Sequence, residues 1–138
     1  MTRVLGIDPG AVRCGIAITD SSMSMAFPRP AFLNNETLLT SLRDLVEAEN
    51  VGMLVVGRPV ALSGNETSST TLADAIYKQL LEVFSDLIVT QWDERLTTVE
   101  AQRFLAKAGI NAKNQRDHVD SAAAVIMLQN YVDGHNAS

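Results

Sequence analysis

The stretch TRVLGIDPGAVRCGIAIT, residues 2–19, decides the fold. Its first part, residues 2–8, is a short apolar run with β-branched members, and it predicts a buried strand. The strand ends at Pro9 and Gly10, a pair that is typical of turns. Residues 14–19 form a second apolar run, so we expect a second strand that returns antiparallel to the first.

The remaining chain alternates between strand and helix patterns. A third, weaker strand is expected within residues 22–32, where Pro28 and Pro30 favour the edge of a sheet. The later predicted elements are a helix at 36–49, a strand at 52–57, a helix from Leu72 to Phe84, a strand at 86–92, a helix from Thr97 to Gly109 and a helix at about 117–133. This order predicts an α/β fold, with a mixed five-stranded sheet of three antiparallel and then parallel strands, flanked by helices.

Length and composition indicate one globular domain over residues 1–138. Apolar residues make up 46% of the chain and charged residues 20%, which is ordinary for a soluble protein. No apolar run approaches the roughly 18 residues of a membrane span, and the first residues do not resemble a secretory signal. The single Cys14 cannot form an internal disulfide, so we expect a buried thiol and a cytoplasmic protein.

The net charge of −5 and the pI of about 4.9 argue against nucleic acid as a partner, because phosphate binding favours a basic surface. The distribution of charge weakens this objection. A single acid, Glu100, lies in a segment that is rich in cations. These cations are Arg95, Arg103, Lys107, Lys113 and Arg116. The alternative is that they form an ordinary solvated helix face.

Carboxylates recur where predicted strands end. Asp8 ends the first strand, and Asp93 and Glu94 follow the last, so all three are expected at the same rim of the sheet. Asp117 and Asp120 lie three residues apart and therefore on one face of the final helix. Such a cluster suits a hard cation such as Mg²⁺ or Mn²⁺. Each acid also has a structural alternative to metal binding. Asp8 could be only a turn residue, Asp117 could be only a favourable charge at a helix N-terminus, and Asp93 could cap a loop.

Four segments together resemble the YqgF/RuvX family. They are GIDPGAVRCGIAITD (6–20), VGRPVALSGNET (56–67), DERLTT (93–98) and VDSAAAVIMLQNYVD (119–133). The matches are ordered and extend along nearly the whole chain. The resemblance implies a ribonuclease H-like fold. It also implies the activity of a Holliday junction resolvase or of a nuclease that matures the 5′ end of pre-16S ribosomal RNA.

The resemblance also implies roles for individual residues. Asp8, Glu94 and Asp120 match the family's acidic positions, and we expect them to bind Mg²⁺ or Mn²⁺ and to carry catalysis. Ala122 and Ala123 would let the final helix approach the sheet closely, and helical spacing places them on one face with Val119 and Ile126. Asp117 departs from the family pattern, in which this position is commonly basic or polar, and is an accessory ligand candidate.

The strand order raises a geometric question. The strand beside the first one ends in Gly57 and supplies no acid. Because strands lie about 4.8 Å apart, Glu94, on the next strand out, must reach inward to meet Asp8.

Several other side chains are candidates for contact with nucleic acid. The predicted phosphate-binding residues are Arg13, Arg58, Arg95, Lys113 and Arg116. For Arg95, an ion pair with Asp93 is the alternative. The loop at 58–67 could act as a mobile flap or be an ordinary surface loop.

Two further side chains lie near the acids in the sequence. Trp92 could stack on a base, but a single tryptophan at a strand end more often packs in the core. His118 neighbours the acids, and its position in the helix does not make it a ligand.

Three classes of function are compatible with these patterns. The first is a metal-dependent endonuclease acting on branched DNA, where symmetric cuts favour a homodimer, or on pre-ribosomal RNA, where a monomer suffices. The second is a non-catalytic nucleic-acid-binding module, which the retention of Asp8, Glu94 and Asp120 disfavours. The third is an actin-like phosphotransferase, which needs two such domains and therefore more chain.

Overall fold

The computed structural model describes residues 2–61, 63–94 and 121–136. The strands are β1 (Arg3–Asp8), β2 (Arg13–Thr19), β3 (Ala26–Leu33), β4 (Val51–Arg58) and β5 (Ile88–Asp93). The helices of these ranges are α1 (Leu38–Ala48), α2 (Ser68–Val83) and α3 (Ala122–Asn136). The predicted helix from Thr97 to Gly109 and the predicted start of the final helix lie outside the described residues.

The strands form one five-stranded sheet in the order β3-β2-β1-β4-β5. β1, β2 and β3 pair antiparallel, whereas β1, β4 and β5 pair parallel. The predicted mixed sheet is therefore confirmed. So is the edge position of β3, since Pro28 and Pro30 cannot donate the backbone hydrogen bonds that a central strand needs.

Two apolar clusters lie on opposite faces of the sheet. Leu42 of α1 and Leu80 of α2 pack with Leu54 on one face. Leu128 of α3 packs with Val55 on the other. Each of these side chains is fully buried, and burial of such a side chain stabilises the fold by roughly 1.5–3 kcal/mol. Cys14 is also buried and free, as the sequence predicts.

The face that α3 turns toward the sheet differs from the predicted one. Ala123 is exposed, and Ala122 and Ile126 are only partly buried. The close approach of helix and sheet occurs elsewhere: a Cβ atom on Gly6 would lie 3.0 Å from the Cβ of Leu128. The prediction was wrong because this segment is apolar on nearly every side, so residue spacing does not distinguish its buried face.

Two buried polar side chains of the α3 segment hold it against β2 and β3. Ser121 Oγ accepts a hydrogen bond from the Ile16 N–H (2.9 Å) and donates one to the Arg29 carbonyl (2.6 Å), where the β2–β3 register shifts. Gln129 Oε1 accepts from the Ala26 N–H at 2.8 Å. These bonds satisfy backbone groups that the strand pairing leaves open.

No helix among the described residues is long and apolar enough to cross a membrane.

Candidate active site

The alternation of side chains along β1 and β4 directs Asp8 and Gly57 to the same face of the sheet. In β1, Val4 packs against α3, whereas Leu5 packs on the opposite face. Asp8 lies four residues after Val4, so it belongs to the α3 face. In β4, Val55 packs against α3, and Gly57 follows two residues later on that face.

The same argument applies to β5. Trp92 packs against the α3 cluster, and Val89 packs against the cluster on the opposite face. Glu94, two residues after Trp92 and just beyond the strand, continues the α3 face. Three strands thus bring Asp8, Gly57 and Glu94 to one rim, at the carboxyl ends of the parallel strands. Ligand sites of parallel sheets lie at this rim.

The side chains of Asp8 and Glu94 are joined by a hydrogen bond. The pKa of Glu94 is raised from 4.5 to about 9, first by burial, then by this hydrogen bond and by the negative charges of Asp8 and Asp93. At neutral pH, Glu94 therefore keeps its proton and donates it to the Asp8 carboxylate. Two carboxyl groups that share a proton are a place where a cation would be strongly stabilised.

Gly57 lies directly beneath the Glu94 side chain. A Cβ atom at this position would lie 2.9 Å from Glu94 Cδ and 3.0 Å from Oε1. The inward reach that the strand order demands of Glu94 therefore passes over a β4 residue without a side chain. The glycine at position 57 is the sequence feature that permits this crossing, whereas the sequence alone shows only that β4 supplies no acid at its end.

The chemistry of the donor set fits Mg²⁺ or Mn²⁺, because both groups offer carboxylate oxygens. Asp120 and Asp117, the other predicted ligands, lie outside the described residues. Within residues 2–61, 63–94 and 121–136, no group of three or more potential ligands could hold a metal ion. The described part of the site therefore contains two of the predicted ligands, Asp8 and Glu94.

Arg58, a predicted phosphate contact, forms ion pairs at the end of β4. Its Nε donates to Asp74 Oδ1 at 3.0 Å, and its Nη2 donates to Glu66 Oε1 at 2.7 Å. The Gln91 amide also donates to Asp74, at 2.8 Å. Arg58 and Gln91 hold the pKa of Asp74 below its usual range. This network links the loop after β4 to α2 and β5, and contact between Arg58 and phosphate remains a prediction.

The loop at 58–67 has its own internal hydrogen bonds. The Ala61 N–H donates to the Asn65 carbonyl (3.0 Å), and the Gly64 N–H donates to the Ala61 carbonyl (2.8 Å). Thr67 and Thr70 form a capping box at the start of α2. These contacts hold the described residues of the loop in this conformation, and its closure over substrate as a flap remains a prediction.

Of the other predicted residues, the structure describes Arg13 and Trp92. Arg13 is exposed at the start of β2, and the turn before it is tight, since a Cβ atom on Gly10 would clash with the Arg13 carbonyl oxygen. Trp92 meets Tyr131 of α3 edge-on, with ring centroids 5.4 Å apart, which favours the core interpretation. The remaining candidates, Arg95, Lys113, Arg116 and His118, lie outside the described residues.

Comparison with known proteins gives concordant matches. The family described as "RuvX: Holliday junction resolvase" matches residues 2–134. Two proteins named "Putative pre-16S rRNA nuclease", from Staphylococcus aureus strains JH9 and Mu50, are each 34% identical over 136 residues, covering 95% of both chains.

Solved structures match over nearly the whole chain. RuvC of T. thermophilus bound to a Holliday junction substrate superposes with a TM-score of 0.67 at 12% identity, covering 100% of this chain and 97% of that one. A second Thermus thermophilus RuvC structure gives 0.57 at 14% identity, covering 99% and 97%. The fold is therefore ribonuclease H-like, as the family resemblance implied.

Proposed function

The chain belongs to the RuvX family, and from this premise we propose that it is a divalent-metal-dependent endonuclease that hydrolyses phosphodiester bonds in structured nucleic acid. The observation that carries the proposal is the hydrogen-bonded pair of Asp8 and Glu94 at the rim of the sheet. Burial opposes the ionisation of such a cluster of acids, so a fold that keeps it accepts a cost that a bound divalent cation would offset. Metal-dependent hydrolysis is a function that requires such a cluster.

We assign the metal site to Asp8, Glu94 and Asp120, with Asp117 as an accessory ligand candidate. A bound Mg²⁺ or Mn²⁺ would polarise the scissile phosphate and favour attack by water. Because the pKa of Glu94 is raised to about 9, Glu94 must give up its proton before it can act as a ligand.

The names of the relatives point to two substrates: Holliday junctions and pre-16S ribosomal RNA. We propose nucleic acid as the partner in either case, contacted through Arg13, Arg95, Lys113 and Arg116. Arg58 is a further candidate, for which phosphate would have to displace Asp74 and Glu66. A junction resolvase would act as a homodimer, because two symmetric cuts need two sites. We propose that the protein acts in the cytoplasm in either role.

The test is cleavage by purified protein with Mg²⁺ or Mn²⁺, using labelled four-way DNA junctions and a pre-16S ribosomal RNA fragment in parallel. Asp8→Asn keeps the size of the side chain but removes the charge, so we expect cleavage to vanish. Asp44→Asn, which makes the same change at an exposed position of α1, is the control and should cut normally.

The substrate that is cut would define the role of the protein. If neither substrate is cut while wild type and Asp8→Asn bind them equally, a non-catalytic nucleic-acid-binding module becomes the better interpretation.

A further inference from the structure

We propose that Gly57 is a positioning residue of the active site, because its missing side chain is what allows Glu94 to cross β4 and meet Asp8. This inference rests on the proposed nuclease function for its consequence in catalysis. Its structural basis is independent of any activity.

The strand order creates the need for this crossing. Asp8 is on β1 and Glu94 follows β5, with β4 between them. Two strand spacings separate their backbones by about 10 Å. Ile7 pairs with Val56 and Gly57 pairs with Trp92, so Gly57 lies on the path between the two acids.

Any side chain at position 57 would occupy that path. A Cβ atom there would lie 2.9 Å from Glu94 Cδ, 3.0 Å from Oε1 and 3.2 Å from Cγ. The closest of these separations is shorter than real Cβ contacts allow, so one partner must move. The Glu94 carboxylate is the far end of a flexible side chain, so it can move without disturbing the backbone.

The neighbours of Gly57 distinguish it from a glycine that serves packing. The three atoms nearest a Cβ at Gly57 all belong to Glu94, whereas those nearest a Cβ at Gly6 all belong to the core residue Leu128. Gly57 also lies in regular β4 pairing, and Gly64 is the glycine with positive φ among the described residues. Alanine is therefore compatible with the backbone at position 57, and its cost falls on the position of Glu94.

The experiment compares Gly57→Ala with Gly52→Ala. Gly52 lies on the same strand, and the three atoms nearest a Cβ there all belong to the side chain of Thr2, at 2.8, 2.9 and 3.2 Å. We expect Gly57→Ala to lower the Mn²⁺ affinity, measured by calorimetry, about 10- to 100-fold. We expect the single-turnover cleavage rate to fall on the order of 100-fold. Both variants should melt at similar temperatures, and Gly52→Ala should bind and cut like wild type.

A double-mutant cycle isolates the route through Glu94. In a Glu94→Ala background the clash is gone, so Gly57→Ala should cause no further loss of Mn²⁺ affinity. An additional loss in that background would overturn the inference. So would a Gly57→Ala protein with wild-type affinity and cleavage.

Crystal structures of metal-free wild type and Gly57→Ala separate this inference from the proposed function. We expect the Glu94 carboxylate of the variant to lie beyond hydrogen-bond reach of Asp8. If it keeps that hydrogen bond, the inference is wrong, whatever the activity. If wild type neither binds Mn²⁺ nor cuts, the proposed function fails. The two crystal structures would still show whether Gly57→Ala displaces Glu94 from Asp8, and this decides the role of Gly57.

Discussion

At the scale of single residues, the acid pair sets a conflict between stability and function. Burial and the nearby negative charges raise the pKa of Glu94 to about 9, so the folded protein holds a proton that the unfolded chain releases near pH 4.5. The stability that this proton provides is complete below pH 4.5 and is lost as the pH rises toward 9. Without metal, the site therefore destabilises the protein at neutral and alkaline pH.

Glu94→Gln should stabilise the metal-free protein by an amount that grows with pH. Glutamine keeps the size of the side chain and can donate a hydrogen bond to Asp8, but it has no proton to lose. The gain in the free energy of unfolding should be small near pH 4.5 and largest near pH 9. Urea denaturation in EDTA across this pH range measures it.

Glu82→Gln, at an exposed position of α2, is the control for this measurement and should give a much smaller pH-dependent change. A gain for Glu94→Gln that is the same at pH 4.5 and pH 9 would contradict the raised pKa of Glu94.

At the scale of elements, the α3 segment is attached to the sheet by polar as well as apolar contacts. Ser121 bridges β2 and β3 through the Ile16 N–H and the Arg29 carbonyl, and it immediately follows Asp120 in the chain. Gln129 binds Ala26 two helical turns later. The same serine that satisfies the sheet backbone thus fixes the start of the helix that follows a proposed metal ligand.

Ser121→Ala should destabilise the protein by about 1–3 kcal/mol, because it leaves the buried Ile16 N–H and the partly buried Arg29 carbonyl without their partner. Chemical denaturation measures this change in the free energy of unfolding. Ser69→Ala, at an exposed position in the first turn of α2, should change it by less than about 0.5 kcal/mol. Equal effects of the two substitutions would show that the Ser121 bridge contributes nothing specific.

The strands and helices could be predicted from the sequence because apolar and polar residues alternate clearly along most of it. The apolar runs of β1 and β4 and the helical spacing of Leu38, Leu42 and Val46 each indicate one type of element. In the final helix, where apolar residues occupy nearly every side, the exposed face at Ala123 could not be predicted.

The candidate active site could also be predicted only in part. The sequence places Asp8 and Glu94 at strand ends, and the rim follows from parallel pairing. It does not show the path of a side chain across a neighbouring strand. That Glu94 passes over Gly57 depends on the register of three strands at once, which becomes visible only in the folded chain.

At the scale of the whole molecule, a net charge of −5 must be reconciled with a polyanionic substrate. Binding should then depend on a few local cations and not on a general basic surface. For B-form DNA, the logarithm of the binding constant falls with the logarithm of salt concentration by about 0.9 per phosphate contact. If the five candidate cations all bind phosphate, the slope should be about −4.5, and if Arg58 keeps its ion pairs, about −3.6.

The substitution Arg58→Gln decides between these two states of Arg58. In the described structure its guanidinium is bound by Asp74 and Glu66, so we expect the substitution to leave the slope unchanged. Filter binding of a four-way DNA junction over a salt series, in EDTA to prevent cleavage, measures it. Arg43→Gln is the control for the lost charge, because Arg43 lies over the Phe84 ring, 4.4 Å from its centroid. A slope that becomes shallower by about 0.9 for Arg58→Gln alone would show that Arg58 exchanges its carboxylate partners for a phosphate.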